Sequence, residues 1–222
     1  ASDVYKRQGF RSTSERLKSN SFISSDNDKI IQKKEIEPKY QLINSKKNFE
    51  KILSEIKIKG ICAIDTETNS LNIEKAKLVG ISICYSENIA YYIPINHTTS
   101  DGIKKIDNQL EENYVINHIN KICKNESILK IGQNIKYDIR ILNKYGVTFN
   151  SIADTMLISY SIDNGIFKHN LDDLSFNHLN HTTIKYKEVV GTGKNEITFD
   201  KVTIDKAINY AAEDSLLTFR LF

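Results

Sequence analysis

The sequence predicts an α/β fold in which a mixed β-sheet, antiparallel over its first three strands, is flanked by α-helices. Two observations predict it. Three runs of β-branched and aromatic residues follow one another, separated by turn-forming residues, which indicates neighbouring antiparallel strands. Beyond them, helical apolar periodicity alternates with short apolar runs, which is typical of a sheet covered by helices.

The elements follow in chain order from these patterns. Apolar residues at three-and-four spacing predict a helix over Phe49–Ile56, which Gly60 ends. Four strands are predicted, at Ile61–Ile64, Leu78–Tyr85, Ile89–Ile95 and Ile128–Ile131, the first three joined by short, hairpin-like connections. Further helices are predicted at Tyr114–Ile122, Asn134–Tyr145, Asp154–Ser161 and Ile204–Phe222.

The chain divides into a lead-in and one domain. Residues 1 to 37 are rich in Ser, Lys, Asn and Asp without sustained periodicity, which predicts a linker or disordered segment. The first eight residues, ASDVYKRQ, resemble a translated sequencing-adapter artefact. The folded domain is expected over residues 38 to 222 and is expected to be truncated at its C-terminus, because the last residues fall inside a helical pattern.

Composition narrows the classes of function. Residues 1 to 59 hold 14 basic and 8 acidic residues, a charge of +6, whereas residues 60 to 222 hold 17 and 20, a charge of −3. Because residues 60 to 222 carry little net charge, we favour a protein in which an acidic cluster holds metal ions over one that binds phosphates by lysines alone. Without a long apolar run or a secretory signal, we expect a cytoplasmic monomer with no membrane partner. The three cysteines are expected to be buried and reduced.

The first chemical signal is the string AIDTETNSL. Asp65 and Glu67 lie two residues apart at the end of a predicted strand, so their side chains point to the same side. Such paired carboxylates suit Mg²⁺ or Mn²⁺. A solvated acidic turn is the alternative for this string alone.

Two further strings place acids on helices. In IGQNIKYDIRIL, Asn134 is predicted to cap a helix that carries Asp138. In INYAAEDSLLTF, Tyr210 and Asp214 are four apart and so share one helix face, with small residues between them that allow close approach to another element. Surface positions on amphipathic helices are the alternative for each string taken singly. Asp154 is interpreted as a helix cap.

The combination resembles a known family. Asp-x-Glu on a strand, Asn-x-x-x-Asp on a helix and Tyr-x-x-x-Asp on a later helix resemble the DEDDy exonuclease superfamily, which has a ribonuclease H-like fold. The words GQNIKYD, IADTMLISY, GTGKNEITF and YAAED resemble more closely the proofreading 3′→5′ exonuclease domains of bacterial DNA polymerase I. The resemblance covers about residues 40 to 222.

The resemblance implies two divalent ions, Mg²⁺ or Mn²⁺, held by four acids. Asp65, Glu67 and Asp214 would hold one ion, Asp65 and Asp138 would hold or steer the second, and Tyr210 would orient the attacking water. No histidine is then needed as a base. The five histidines are expected in loops or at the surface, at positions 97, 118, 169, 178 and 181.

The resemblance also implies a substrate, the single-stranded or frayed 3′ end of DNA, and a polymerase domain in the same natural chain. The residues that match substrate-contacting positions of the family are Thr66, Leu71, Asn134, Tyr137 and Tyr186. For each of them, capping or packing is the alternative role. Lys194 and the glycines before it lack the pattern of a triphosphate-binding loop.

Two other functions remain open from the sequence. A ribonuclease D-like enzyme that trims RNA from its 3′ end shares the four acids and the tyrosine. A catalytically inactive module that binds nucleic acid is the other alternative, and its acids would not converge on a metal site.

Overall fold

The computed structural model describes residues 37–162 and 168–222, so the lead-in expected over residues 1 to 37 lies, apart from Glu37, outside the described residues. Within them, six strands form one sheet, in the order β1-β4-β3-β2-β5-β6. The strands are β1 (Lys39–Leu42), β2 (Ile61–Thr68), β3 (Leu78–Cys84), β4 (Ile89–Pro94), β5 (Leu129–Gly132) and β6 (Ile152–Asp154). The helices are α1 (Lys46–Lys59), α2 (Glu112–Lys124), α3 (Lys136–Asn143), α4 (Thr155–Ile162), α5 (Leu171–Leu179), α6 (Tyr186–Val190) and α7 (Ile204–Leu221).

The sheet is mixed, as the sequence predicts. Strands β2, β3 and β4 are antiparallel neighbours. Strand β5 runs parallel to β2, β6 parallel to β5, and β1 parallel to β4. The patterns do not predict β1 and β6, because these short edge strands pair on one side only and carry little apolar alternation.

Alternation along β2 separates the two faces of the sheet. Cys62 and Ile64 are buried in the cluster that contains the apolar residues of α1 and α2. Ala63 belongs instead to a cluster with Ala212 and Leu216 of α7. Because side chains alternate along a strand, Asp65 and Glu67 follow Ala63 onto the face that α7 covers.

Two segments differ from the sequence-based expectation: the link between β2 and β3, and residues 171–195, for which the patterns predict no helix or strand. The link between β2 and β3 is the longer loop 69–77 rather than a tight hairpin. The polar stretch between residues 180 and 195 contains α6 and a short 3₁₀ turn, and α5 precedes it. These helices are too short and too polar to give a readable periodicity. Across residues 37–162 and 168–222, no helix combines the length and the apolar character needed to cross a membrane.

Candidate active site

Three carboxylates from two elements converge on the α7 side of the sheet. Carboxylate oxygens of Asp65 and Glu67 on β2 and of Asp214 on α7 all lie within 4.8 Å of one another. Glu67 is buried, and the other two are half-buried. The approach of α7 is close because Ala211 and Ala212 are small and fully buried. The arrangement suits a hard divalent cation that prefers oxygen ligands.

Asp138 reaches the same region from α3, beside the far end of β2. Strand β5 pairs with β2 only over Ile61–Ala63, so the backbone N–H of Thr66 is not used by that neighbour. This N–H donates to Oδ1 of Asp138 at 2.9 Å, and the Thr66 hydroxyl donates to the same oxygen at 2.6 Å. Asp138 is only 3% exposed. It is thus a buried carboxylate whose position two hydrogen bonds define.

The four acids share an environment that opposes negative charge. Burial, and then repulsion from the neighbouring carboxylates, raises the pKa of Asp65 and Glu67 well above the ordinary values. Burial raises the pKa of Asp138 to about 7 even though Thr66 donates to it, and burial raises that of Asp214 to about 8. Among the described residues, no Lys or Arg forms an ion pair with any of the four. A bound cation would supply the missing positive charge.

Tyr210 lies one helical turn before Asp214 on α7. A hydrogen bond from its hydroxyl lowers the pKa of Asp214, although burial outweighs that effect. Burial and the nearby carboxylate of Asp214 in turn raise the pKa of Tyr210. Its hydroxyl is therefore kept protonated and lies at the edge of the acidic site, where it can donate or accept a hydrogen bond.

The residues expected to contact the substrate fall into two groups. Thr66 is buried, and its hydroxyl is engaged with Asp138, so it supports an acid of the site. Tyr137 is likewise engaged, through hydrogen bonds with the Thr68 hydroxyl at 2.6 Å and the Ser70 carbonyl at 3.1 Å. Leu71, by contrast, is 85% exposed in the loop 69–77, which excludes a packing role for it within the described residues.

Tyr186 and Asn134 complete the set expected at the substrate. Tyr186, at the start of α6, is 37% exposed, and its ring lies edge to face against that of Tyr210, with centroids 5.9 Å apart. Asn134 is exposed, with a φ of 55° that places it in the left-handed region. Leu71, Tyr186 and Asn134 thus expose an apolar, an aromatic and an amide side chain.

The prediction that Asn134 caps α3 is wrong. Helix α3 begins at Lys136 without a side-chain cap of its own. Instead Asp154 accepts from the backbone N–H groups of Asn134 and Ile135, each at 3.0 Å, and from that of Met156 at 2.9 Å. One carboxylate thus serves the starts of both α3 and α4, which bears out the interpretation of Asp154 as a cap. The residue pattern could not reveal the hydrogen bonds from Asn134 and Ile135, because they join two elements that are distant in sequence.

His97 lies in the loop between β4 and α2, as the expectation of a loop or surface position allows, but it is not at the surface. Its side chain is fully buried, and burial lowers its pKa to about 4. Nδ1 donates to the Val202 carbonyl at 3.0 Å, so Nε2 accepts from the Tyr92 hydroxyl at 2.7 Å. A neutral histidine with both nitrogens engaged is part of the core.

Glu213 is a buried acid beside the site that the sequence analysis did not single out. It is 4% exposed and accepts from Nε2 of His181 at 2.8 Å and from the backbone N–H of Ile184 at 2.7 Å. These contacts hold the segment that leads into Tyr186. Its place between Ala212 and Asp214, directly after two small residues, was the one signal that could have drawn attention to it.

Comparison with known proteins identifies this architecture. A family model described as 3′-5′ exonuclease matches residues 40–222. The chain belongs to this exonuclease family. DNA polymerase I of Rhizobium leguminosarum is 38% identical over 198 residues, which are 82% of this chain and 19% of that protein. DNA polymerase I of Borreliella burgdorferi is 38% identical over 187 residues, 83% of this chain and 19% of that protein.

The resemblance to the 3′-5′ exonuclease domain of DNA polymerase I is thereby confirmed, and the chain spans about a fifth of the length of these relatives. Among solved structures, Escherichia coli RNase D superposes with a TM-score of 0.58 at 15% identity, covering 82% of this chain and 43% of that one. At this identity the likeness concerns the fold, which confirms the ribonuclease H-like class of the sheet.

Proposed function

We propose that this protein shortens DNA from its 3′ end by metal-dependent hydrolysis, releasing nucleoside 5′-monophosphates, as the proofreading part of a DNA polymerase I. The observation that carries the proposal is the convergence of the Asp65, Glu67 and Asp214 carboxylates, whose oxygens lie within 4.8 Å of one another in this exonuclease family member. Unneutralised acids in such a volume repel each other, which favours cations between them.

We assign two divalent ions, Mg²⁺ or Mn²⁺, to this set of carboxylates. Asp65, Glu67 and Asp214 would hold one ion, and Asp65 with Asp138 would hold the other. When bound, such ions lower the pKa of water and stabilise the negative charge that develops on a phosphate. The hydrogen bonds from Thr66 keep one oxygen of Asp138 in a defined orientation and leave the other oxygen for an ion.

The remaining residues would orient the water and the strand end. Tyr210, one helical turn before Asp214 and kept protonated by burial, would align the attacking water. Exposed Leu71 would press against the terminal base, and Tyr186 would stack on a base of the single strand. Asn134 and Tyr137 would flank the terminal nucleotide. Stacking and backbone contacts carry no base-edge readout, so removal would be independent of sequence.

The test uses a 5′-labelled DNA primer with a mismatched 3′ end. The wild type should shorten it stepwise from that end with Mg²⁺ or Mn²⁺ and stop when a chelator is added. The variant Asp65→Asn, Glu67→Gln should lose roughly 10³-fold or more in rate, since its ion ligands lose their charge. A matched control is Glu126→Gln, an exposed acid after α2, which should keep the wild-type rate.

Three outcomes would change the assignment. Equal cleavage by the wild type and the double variant would mean that the site lies elsewhere. Faster shortening of an RNA strand than of a DNA strand of equal length and sequence would favour the ribonuclease D-like function. Binding without shortening, by a folded wild type, would leave an inactive nucleic-acid-binding module.

A further inference from the structure

Phe199 lies at the centre of a group of aromatic side chains beside the acidic site. It is fully buried in the 3₁₀ turn Phe199–Lys201, just before α7. Its ring stacks on that of Tyr186, with centroids 6.2 Å apart and 11° between the ring planes. Its centroid also lies 5.9 Å from that of Tyr210. Since Tyr186 and Tyr210 touch each other as well, the three rings form one packed unit.

The backbone around Phe199 is hydrogen-bonded to the loop that follows β4. The Asp200 carbonyl accepts from the backbone N–H of Thr98 at 2.7 Å. The Val202 carbonyl accepts from Nδ1 of His97 at 3.0 Å, and the ring of His97 lies 5.9 Å from that of Phe199. The turn therefore has little freedom to move relative to the sheet.

The two tyrosines depend on packing for their own positions. Helix α6 is a single short turn with no side-chain cap, so it has little stability of its own. Tyr186 at its start is partly exposed, and the buried side of its ring is covered by Phe199. Tyr210 is on the first half of α7, one turn before Asp214, with Phe199 and Tyr186 against its ring.

We propose that Phe199 is a positioning residue that sets, with one buried ring, both the place of the Tyr210 hydroxyl and the orientation of the Tyr186 ring. The inference rests on the proposed function, in which Tyr210 aligns the water and Tyr186 stacks on a base. Removing the Phe199 ring opens space behind both tyrosines. The Tyr210 hydroxyl then shifts relative to Asp214, which lowers kcat, and the Tyr186 ring loosens, which raises KM for single-stranded DNA.

The test is a double-mutant cycle with a single-stranded DNA oligonucleotide and Mg²⁺. Phe199→Leu should lower kcat by roughly 10- to 100-fold, the cost of a displacement of about 1 Å at a reacting group. In the Tyr210→Phe background, which keeps the ring but lacks the hydroxyl, the same substitution should lower kcat by less than about 3-fold, since coupled residues are not additive. The increase in KM should persist there, because it acts through Tyr186.

The matched control is Phe49→Leu. Phe49 is also fully buried and packs against aromatic rings, those of Tyr114 and His118, but it belongs to the core cluster on the opposite face of the sheet. At a temperature where both variants are folded, Phe49→Leu should change kcat by less than about 3-fold despite a comparable loss of stability. If Phe199→Leu does not fold, Phe199→Met, which keeps most of the volume, takes its place in the cycle.

Two results would overturn the inference while leaving the proposed function intact. The first is an undiminished loss of kcat in the Tyr210→Phe background. The second is an equal loss of kcat in Phe49→Leu and Phe199→Leu, which would mean that lost stability alone slows the enzyme. A wild type that does not shorten DNA contradicts the proposed function, and the inference with it.

Discussion

Thr66 donates two hydrogen bonds to a single oxygen of Asp138, from its hydroxyl at 2.6 Å and from its backbone N–H at 2.9 Å. The two residues are far apart in the chain, and both are buried. The hydroxyl was expected to contact substrate. Its engagement with Asp138 leads to a different prediction for the same residue.

Thr66→Val should weaken metal binding more than DNA binding. The variant keeps the shape of the side chain but removes a hydrogen bond to a charged acceptor, about 1.5–3 kcal/mol, which corresponds to roughly 10- to 100-fold. We expect the Mg²⁺ concentration for half-maximal rate to rise by about that factor. Thr66→Ser, which keeps the hydroxyl, is the control and should stay near the wild type. A rise in KM for DNA at unchanged metal dependence would assign Thr66 to the substrate instead.

The rate should rise with pH across the neutral range. The acids must be ionised to hold cations, and burial raises the pKa of Asp138 to about 7 and of Asp214 to about 8. At low metal concentration, the rate should therefore increase between about pH 6 and 9. Because metal binding displaces protons, a higher Mg²⁺ concentration should move the midpoint to lower pH. A midpoint that does not respond to Mg²⁺ would contradict this coupling.

Asp214→Asn should stabilise the metal-free protein. A carboxyl group whose pKa is higher in the folded than in the unfolded state favours folding at low pH, and that contribution is lost as pH rises through the folded pKa, here about 8. Above that pH the buried carboxylate is ionised at a cost to the folded state. The variant has no carboxyl to ionise and should raise Tm at pH 8.5 in chelator by on the order of 5 °C. The gain should shrink toward pH 4.

The same melting experiment has an internal control. Saturating Mg²⁺ should raise the Tm of the wild type more than that of Asp214→Asn, since only the wild type keeps all the proposed ligands. If the variant melts below the wild type in chelator at pH 8.5, Asp214 stabilises the metal-free fold rather than destabilising it.

Asp154→Ala should cost more stability than loss of an ordinary cap. Asp154 accepts from backbone N–H groups at the starts of two helices, whereas Asn170 accepts from one, that of Asp173 at 2.8 Å. From the usual cost of a cap, we expect about 1 kcal/mol for Asn170→Ala and roughly 2–3 kcal/mol for Asp154→Ala in urea denaturation. Equal losses would mean that the contacts to Asn134 and Ile135 contribute nothing.

Local pattern was sufficient for the central sheet and the main helices. Continuous β-branched runs predicted β2, β3 and β4, and the three-and-four spacing predicted α1 and α7. The edge strands β1 and β6 and the short helices α5 and α6 were missed, since each depends on a neighbour distant in sequence. The burial of His97 was not predicted for the same reason, because its two partners come from β4 and from the segment before α7.

The chemistry divides in the same way. By itself, the sequence determined which groups are present and which of them share a side: Asp65 with Glu67 through the two-residue period of a strand, and Tyr210 with Asp214 through one turn of a helix. Only the tertiary structure decided that Asp214 comes within 4.8 Å of the strand pair and that Thr66 holds Asp138. Periodicity describes neighbours within an element, whereas contacts between elements depend on packing, here the close approach of α7 through its alanines.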